Sequence, residues 1–300
     1  MALGASACHT EGMAKSKVDV YQIVTDKILA LIAEGTVPWH KPWKGTAPMS
    51  MSTGKPYRGI NVFLLDEGWH GTYKKITELG GQIRKGEKSA VAVFWNFIEK
   101  VDPKTGEKDR IPFLRYYRVF HASQADWPDG MPERFSVTGA ANEADRITAA
   151  EQVVAGYVKG DNGPSLSHGG SSAHYNPRTD AVRMPELTAF DSVDAYYSTM
   201  FHELGHSTGH ASRLNREGVT DFDRFGSHRY ASEELVAEMT AAMVSGALGI
   251  DSTIETSAAY LSHWAAQIGS DPKLIVRAAG QAQRAADLIQ GVTWEKEDDD

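Results

Sequence analysis

Three hundred residues, 41% apolar and 23% charged, describe a soluble globular protein of one large or two ordinary domains. The longest apolar run, Ile28 to Ala33, is too short for a bilayer, no secretory signal opens the chain, and the single cysteine, Cys8, excludes an internal disulfide and a cysteine-rich zinc site; a cytoplasmic protein without a membrane partner is expected. The net charge of −8 divides unevenly, because residues 13–120 hold 18 Lys and Arg against 11 Asp and Glu (+7), residues 121–300 hold 13 against 27 (−14), and Glu11 completes the total. A basic half joined to an acidic half predicts two domains with different partners, a polyanion being the partner of the first.

In chain order, residues 1–17 read as a disordered tail. Residues 18–34 place apolar side chains at 20, 23, 24, 28, 31 and 32, the pattern of an amphipathic helix, which Gly35 closes. The prolines of Val37-Pro38-Trp39-His40-Lys41-Pro42-Trp43-Lys44 forbid a helix there and leave two tryptophans among basic residues. A second basic and aromatic loop holds Lys55, Tyr57 and Arg58. Asn61 is expected to cap a short helix to about Asp66, Thr72 to Leu79 is expected to form another, and Arg84, Lys85 and Lys88 lie in a basic loop. Ser89 to Ile98 and Ile111 to Phe120 read as the strands of a hairpin around the turn Asp102-Pro103-Lys104-Thr105-Gly106. Basic residues interleaved with aromatic ones suit single-stranded nucleic acid, whose bases stack on rings while its phosphates pair with Lys and Arg. The candidate DNA contacts are Trp39, Lys41, Trp43, Lys44, Lys55, Tyr57, Arg58, Arg84, Lys85 and Lys88; the other reading places most of the rings in the core.

This first domain is assigned to residues 18–125 and is followed by a linker at 126–145, where Pro128, Gly130, Pro132 and Gly139 break hydrophobic periodicity. A second domain spans 146–292 and an acidic tail 293–300. Within the second domain, Ile147 to Val158 reads as helix, the Gly- and Ser-rich stretch Gly160 to Ser172 as loop, and Ala173 to Met184 as strand–turn–strand. An edge strand there is a candidate partner for an extended peptide.

The chemistry centres on His202-Glu203-Leu204-Gly205-His206, an H-E-x-x-H sequence on an expected helix capped by Asp191 or Ser192. Histidines four apart share a helix face and can reach one metal ion, and Glu203 is then placed to take a proton from a water held there. Three protein ligands would leave zinc an open position. His210 falls two residues short of the third histidine of the three-histidine metalloproteases, so a carboxylate on the next helix, Ser232 to Leu248, is favoured. Glu234 is the candidate ligand, Glu233 its rival, and Glu238, four residues on, a candidate acceptor for a ligand imidazole. His228 and Tyr230 approach the start of the same helix, as oxyanion donors or as plain loop residues. Two further helices, Asp251 to Gln267 and Asp271 to Ile289, complete the chain.

The runs VPWHKPW, TGKPYRGIN and ITELGGQIRKGEKSAVAVFW resemble the N-terminal single-stranded-DNA-binding domain of the ArdC antirestriction family, which also opens certain plasmid primase-like proteins. The runs AHYNPRTDAVRMPE, FHELGHSTGHASRLNR and YASEELVAEMTAA resemble the zincin-like metallopeptidase domain that follows it, and together the matches cover about residues 18–290. The resemblance implies an α+β fold with a hairpin-bearing DNA-binding domain and a zincin-like domain. It implies a plasmid-encoded protein that shields incoming conjugative DNA from host restriction. It places His202, His206 and Glu234 on the metal ligands and Glu203 on the general base, with Zn2+ as the cofactor and Mn2+ as the alternative. The implied partners are single-stranded DNA, with double-stranded DNA as a second candidate, and a protein substrate such as a restriction-system subunit. A DNA-occluding protein with a structural or idle metal site is the competing function.

Overall fold

The computed structural model describes residues 19–40, 47–101, 108–136, 142–220, 228–251 and 257–293, with the backbone alone at 97–101, 108–112 and 228–230. The expected tail at 1–17, all but the first residue of the acidic tail at 293–300, and Lys41, Trp43 and Lys44 lie outside the described residues.

Helix α1, Val20–Ala33, starts where the Asp19 carboxylate accepts the Tyr21 and Gln22 N–H groups, and it buries Val20, Val24, Ile28 and Ile32 at helical spacing. The Pro38–His40 segment makes a single 3-10 turn that seats Pro38 and Trp39 in the core. Strand β1 (Pro48–Ser50), helix α2 (Asn61–Leu64), strand β2 (Gly68–Gly71), helix α3 (Tyr73–Glu78) and strand β3 (Gln82–Ile83) follow. The long strands β4 (Ala90–Val101) and β5 (Lys108–His121) then form the expected hairpin, and β6 (Ala125–Asp126) pairs back on β3. The main sheet has the order β1-β2-β5-β4, which leaves β4 at an edge.

Asn61 does not cap α2. Its side-chain amide donates to the Val93 carbonyl at 2.7 Å and its carbonyl accepts the Val93 N–H at 2.8 Å, so it acts as a one-residue strand partner on the free edge of β4. Segment 126–145 also carries more structure than its composition suggests. Phe135 is buried against Trp69 and Trp127, and helix α4 (Glu143–Val158) starts four residues before the expected Ile147 because Asn142 caps it.

The acidic half contains strands β7 (Ser165–His168), β8 (His174–Asn176) and β9 (Ala181–Met184), then helices α5 (Val193–Ser207), α6 (Glu217–Thr220), α7 (His228–Leu248), α8 (Ala258–Ser270) and α9 (Leu274–Gln290). Strand β7 falls inside the stretch expected to be loop; it pairs in parallel with β9, giving the order β7-β9-β8. No helix among the described residues is long and apolar enough to cross a membrane.

The charge boundary near residue 120 does not coincide with a break in packing. One apolar cluster runs from Val24, Ile28, Trp39 and Phe63 to Met239, Trp264, Ile268 and Ile275. Polar contacts cross the same boundary: Thr25 Oγ1 donates to the Pro272 carbonyl at 2.9 Å, the Gly59 N–H to Gln283 Oε1 at 2.9 Å, and Arg58 forms an ion pair with Asp287.

Candidate metal centre

Helix α5 begins where Ser192 Oγ accepts the Ala195 N–H at 3.0 Å, and no glycine interrupts it before Gly205. Tyr196, Tyr197, Met200, Phe201 and Leu204 bury its apolar face, which fixes its rotation and sets His202 and His206 on one side. Tyr157 of α4 reaches Ser207 Oγ at 3.0 Å, and His168 of β7 meets the Tyr196 hydroxyl at 2.8 Å, so α4 and the small sheet both brace this helix.

Helix α7 crosses α5 at Gly205, where an added Cβ would sit 3.3 Å from the Ala237 Cα, the Ala237 carbonyl and the Thr240 Cβ. This close approach brings Glu234 to the histidines. His202 Nε2 and His206 Nε2 are 3.1 Å apart, and the two carboxylate oxygens of Glu234 lie 3.5 Å from His202 Nε2 and 3.6 Å from His206 Nε2. Their ligand-capable atoms all fall within 4.8 Å of one another, which forms the one such group among the described residues. Glu203 is buried to 9% exposure on the same helix.

Two imidazoles and a carboxylate suit a divalent ion such as zinc or manganese, and the electrostatics of the site favour a cation. Burial alone would lower the pKa of His206, yet its contacts with Glu233 and Glu234 push it up to about 10. Burial alone would raise that of Glu234, yet His202 and His206 hold it well below the usual carboxylate range. With both carboxylates charged, the positive charge held there in the absence of a metal is the proton on His206, which a bound ion would displace.

Glu238 does not meet a ligand imidazole. Its Oε2 accepts from Trp39 Nε1 at 2.8 Å and from the Tyr260 hydroxyl, which stacks on His40. The carboxylate that meets a ligand imidazole at its other ring nitrogen is Glu233, whose Oε1 lies 3.4 Å from His206 Nδ1. Arg216 binds Glu233 with both Nε and Nη2, donates from Nη1 to Thr208 Oγ1 at 2.6 Å and from Nη2 to the Gly205 carbonyl at 2.8 Å. Glu233 and Arg216 are both buried, a pairing tolerable only because nearly every polar atom finds a partner. Helical spacing ranks Glu233 only as a rival ligand and singles out no role for Arg216, because the pair is joined across 17 residues of chain.

His210 stays outside the group, with Nδ1 2.8 Å from Ser212 Oγ and 3.9 Å from Asp180. Arg213 pairs with Asp180 at the β8–β9 turn and donates to the Ser207 carbonyl at 2.8 Å, tying that turn to the end of α5. His228 and Tyr230 lie in the first turn of α7 by backbone alone.

The expected DNA contacts divide. Trp39 is fully buried and hydrogen-bonded to Glu238, so it cannot stack on a base; its apolar bulk joins the shared core instead. Arg58 is taken up by Asp287, and Arg84 by Glu87 and the carbonyls of Ser123 and Ala125. Tyr57 is half-buried, with its hydroxyl 3.4 Å from that of Tyr117, whereas Lys55, Lys85 and Lys88 are exposed.

Residues 18–120 match the N-terminal domain of anti-restriction factor ArdC, and residues 151–281 match a zincin-like metallopeptidase family. An uncharacterized protein of Sinorhizobium fredii, y4eC, is 34% identical over 93% of this chain and 94% of its own length. A DNA primase TraC of Escherichia coli is 35% identical over 92% of this chain, which spans 27% of that protein. The metal-free crystal structure of the antirestriction ArdC protein from the R388 plasmid is 38% identical and superposes with a TM-score of 0.72 over 92% of this chain and 98% of that one. The Mn(II)-bound structure of the R388 protein matches with 37% identity and a TM-score of 0.71 over the same shares of the two chains. With two matched domains in the same order and similarity along nearly its whole length, the chain belongs to the ArdC antirestriction family.

Proposed function

We propose that the metal centre hydrolyses peptide bonds and that the basic half carries it to single-stranded DNA, so that the protein protects incoming conjugative DNA from host restriction. The observation that supports the chemistry is the convergence of His202, His206 and Glu234 within 4.8 Å, with Glu203 next to His202 on the same helix. His202, His206 and Glu234 would hold a divalent ion, which would supply Lewis acidity and lower the pKa of a water beside it. Glu203 serves as the general base that accepts the proton of the attacking water and passes it to the leaving amine. Glu233, locked by Arg216, orients the His206 ring through Nδ1. Strand β8, at the edge of the small sheet, offers unpaired backbone to an extended peptide, and the substrate we propose is a restriction-system subunit. The plasmid origin of the R388 relative supports the conjugative setting, and the +7 balance of residues 13–120, with exposed Lys55, Lys85 and Lys88, supports the DNA role.

The test is conjugation into a restricting recipient in the presence of Glu203→Ala, which keeps all three candidate ligands. Protection should fall to the level of the empty control. Full protection would refute proteolysis as the mechanism and leave a protein that shields DNA by occupying it.

A further inference from the structure

Strands β4 and β5 share a face on which Ala92 opposes Tyr117, Phe94 opposes Arg115 and Asn96 opposes Phe113. Cross-strand partners point to the same side of a sheet, so these side chains form one surface. The opposite face carries Val93, Leu114 and Tyr116, which pack into the core, and Trp95, which stays 51% exposed at the edge of the Tyr21 ring. An antiparallel sheet with one packed face should be polar on the other. Here the second face is aromatic. Tyr57, Leu65 and Val119 cover only the end near Ala90 and Ala92, and beyond them Phe94 stays 37% exposed.

The rings are ordered along this face. Tyr57 meets Tyr117 through their hydroxyls, and the Tyr117 and Phe94 rings lie 5.4 Å apart at 60°. The Arg115 guanidinium sits 4.9 Å above the Phe113 ring. Arg115 is exposed, and no carboxylate among the described residues pairs with it. Tyr117 packs against the small cluster of Leu65, Ala92 and Val119 at the covered end, whereas Phe94 and Arg115 lie beyond it and belong to no buried cluster.

We propose that the Tyr117–Phe94–Arg115–Phe113 face of the hairpin is the stacking platform on which single-stranded DNA lies. The inference rests on reading the basic half as a single-strand-binding module, and it assigns the stacking to residues outside the basic loops. Half-exposed rings accept any base through its π-face, and an arginine stacked on a ring supplies both a plane and a phosphate contact. A protein partner would be served equally by the apolar rings, but not by a cationic plane within a segment of net charge +7.

The test uses the intact protein and a fluorescent dT20 oligonucleotide, followed by anisotropy. Phe94→Ala and Arg115→Ala should each weaken binding by about tenfold or more. Arg115→Ala should also lower the salt slope by about 0.7, whereas Phe94→Ala should leave it unchanged. Leu187→Ala, at an exposed apolar residue of the acidic half, should bind as wild type. Phe94→Trp keeps an aromatic plane and should add indole emission that unlabelled dT20 quenches, which reports on the platform even if an alanine variant fails to fold. Unchanged affinity in the folded Phe94→Ala and Arg115→Ala proteins would overturn the proposal and mark the face as a protein contact. So would a Phe94→Trp protein whose added emission is unquenched at saturating dT20. A wild-type protein that binds no dT20 would overturn the single-strand reading itself, and the platform with it.

Discussion

The PWH turn and the β4–β5 hairpin both offer aromatic rings beside basic residues, yet they end in opposite places. Trp39 is fully buried and donates to Glu238 one helical turn beyond Glu234, while Phe94 remains open to solvent on the outer face of a sheet. The difference lies in what each segment meets. The 3-10 turn at Pro38–His40 is enclosed by α1, α7 and α8, and the indole fills space between the two halves. The hairpin has one face in the main core, and its other face is covered only at the end near Ala92. Aromatic and basic composition therefore does not locate a DNA surface by itself; which side of an element the core occupies decides it.

The buried polar cluster of the acidic half marks the extreme of this contrast, and breaking it should have the largest effect. Arg216→Met leaves the buried Glu233 with His206 as its one remaining charged partner and should cost about 3 kcal/mol of stability, read as a shift of the denaturant midpoint. A loss below about 1 kcal/mol would mean that water reaches Glu233 and that the cluster is not dry.

An effect of similar size belongs to pH in the basic half. His70 is 2% exposed, and burial, with a smaller contribution from His121, lowers its pKa to about 4. The unfolded chain, with a histidine pKa near 6.5, binds that proton first. Stability is therefore complete above pH 6.5 and is lost as pH falls from 6.5 towards 4, by about 3 kcal/mol in total. His40, lowered to about 4 by burial, adds to the slope in the same range, so thermal melts should show a slope that His70→Gln reduces; an unchanged slope in the variant would remove His70 from the account.

The smallest effect separates the two aromatic segments directly. Trp39→Phe keeps most of the ring volume and loses one hydrogen bond to a buried carboxylate, which should lower stability by about 1–3 kcal/mol. Affinity for dT20 should change less than twofold. A large loss of DNA affinity with unchanged stability would reverse the assignment and return Trp39 to the DNA surface.

Much of the fold is legible in the chain because its signals are local. The i, i+4 histidines of α5, the helical spacing of apolar residues in α1 and the apolar run that opens β4 each lie within a few residues. The Glu234 assignment required one long-range guess, that a carboxylate comes from the next helix, and the approach at Gly205 is what allows it. Other features depend on partners far along the chain. Strand β7 sits in a Gly- and Ser-rich stretch and exists because β9 pairs with it. Asn61 has the composition of a helix cap, and instead completes the edge of β4 at Val93. Glu233 rather than Glu238 meets a ligand imidazole, because Arg216 and Trp39 reach the two carboxylates from segments whose course helical spacing cannot show.

Every functional claim for the acidic half depends on which side chains hold the ion. Calorimetric titration of Mn2+ or Zn2+ into the apo protein, comparing wild type with Glu234→Ala, Glu238→Ala and Glu203→Ala, tests this most directly. One equivalent should bind to the wild type, to Glu238→Ala and to Glu203→Ala, and the tight site should be lost in Glu234→Ala. Full stoichiometry and unchanged affinity in Glu234→Ala would contradict the account and remove Glu234 from the ligand set.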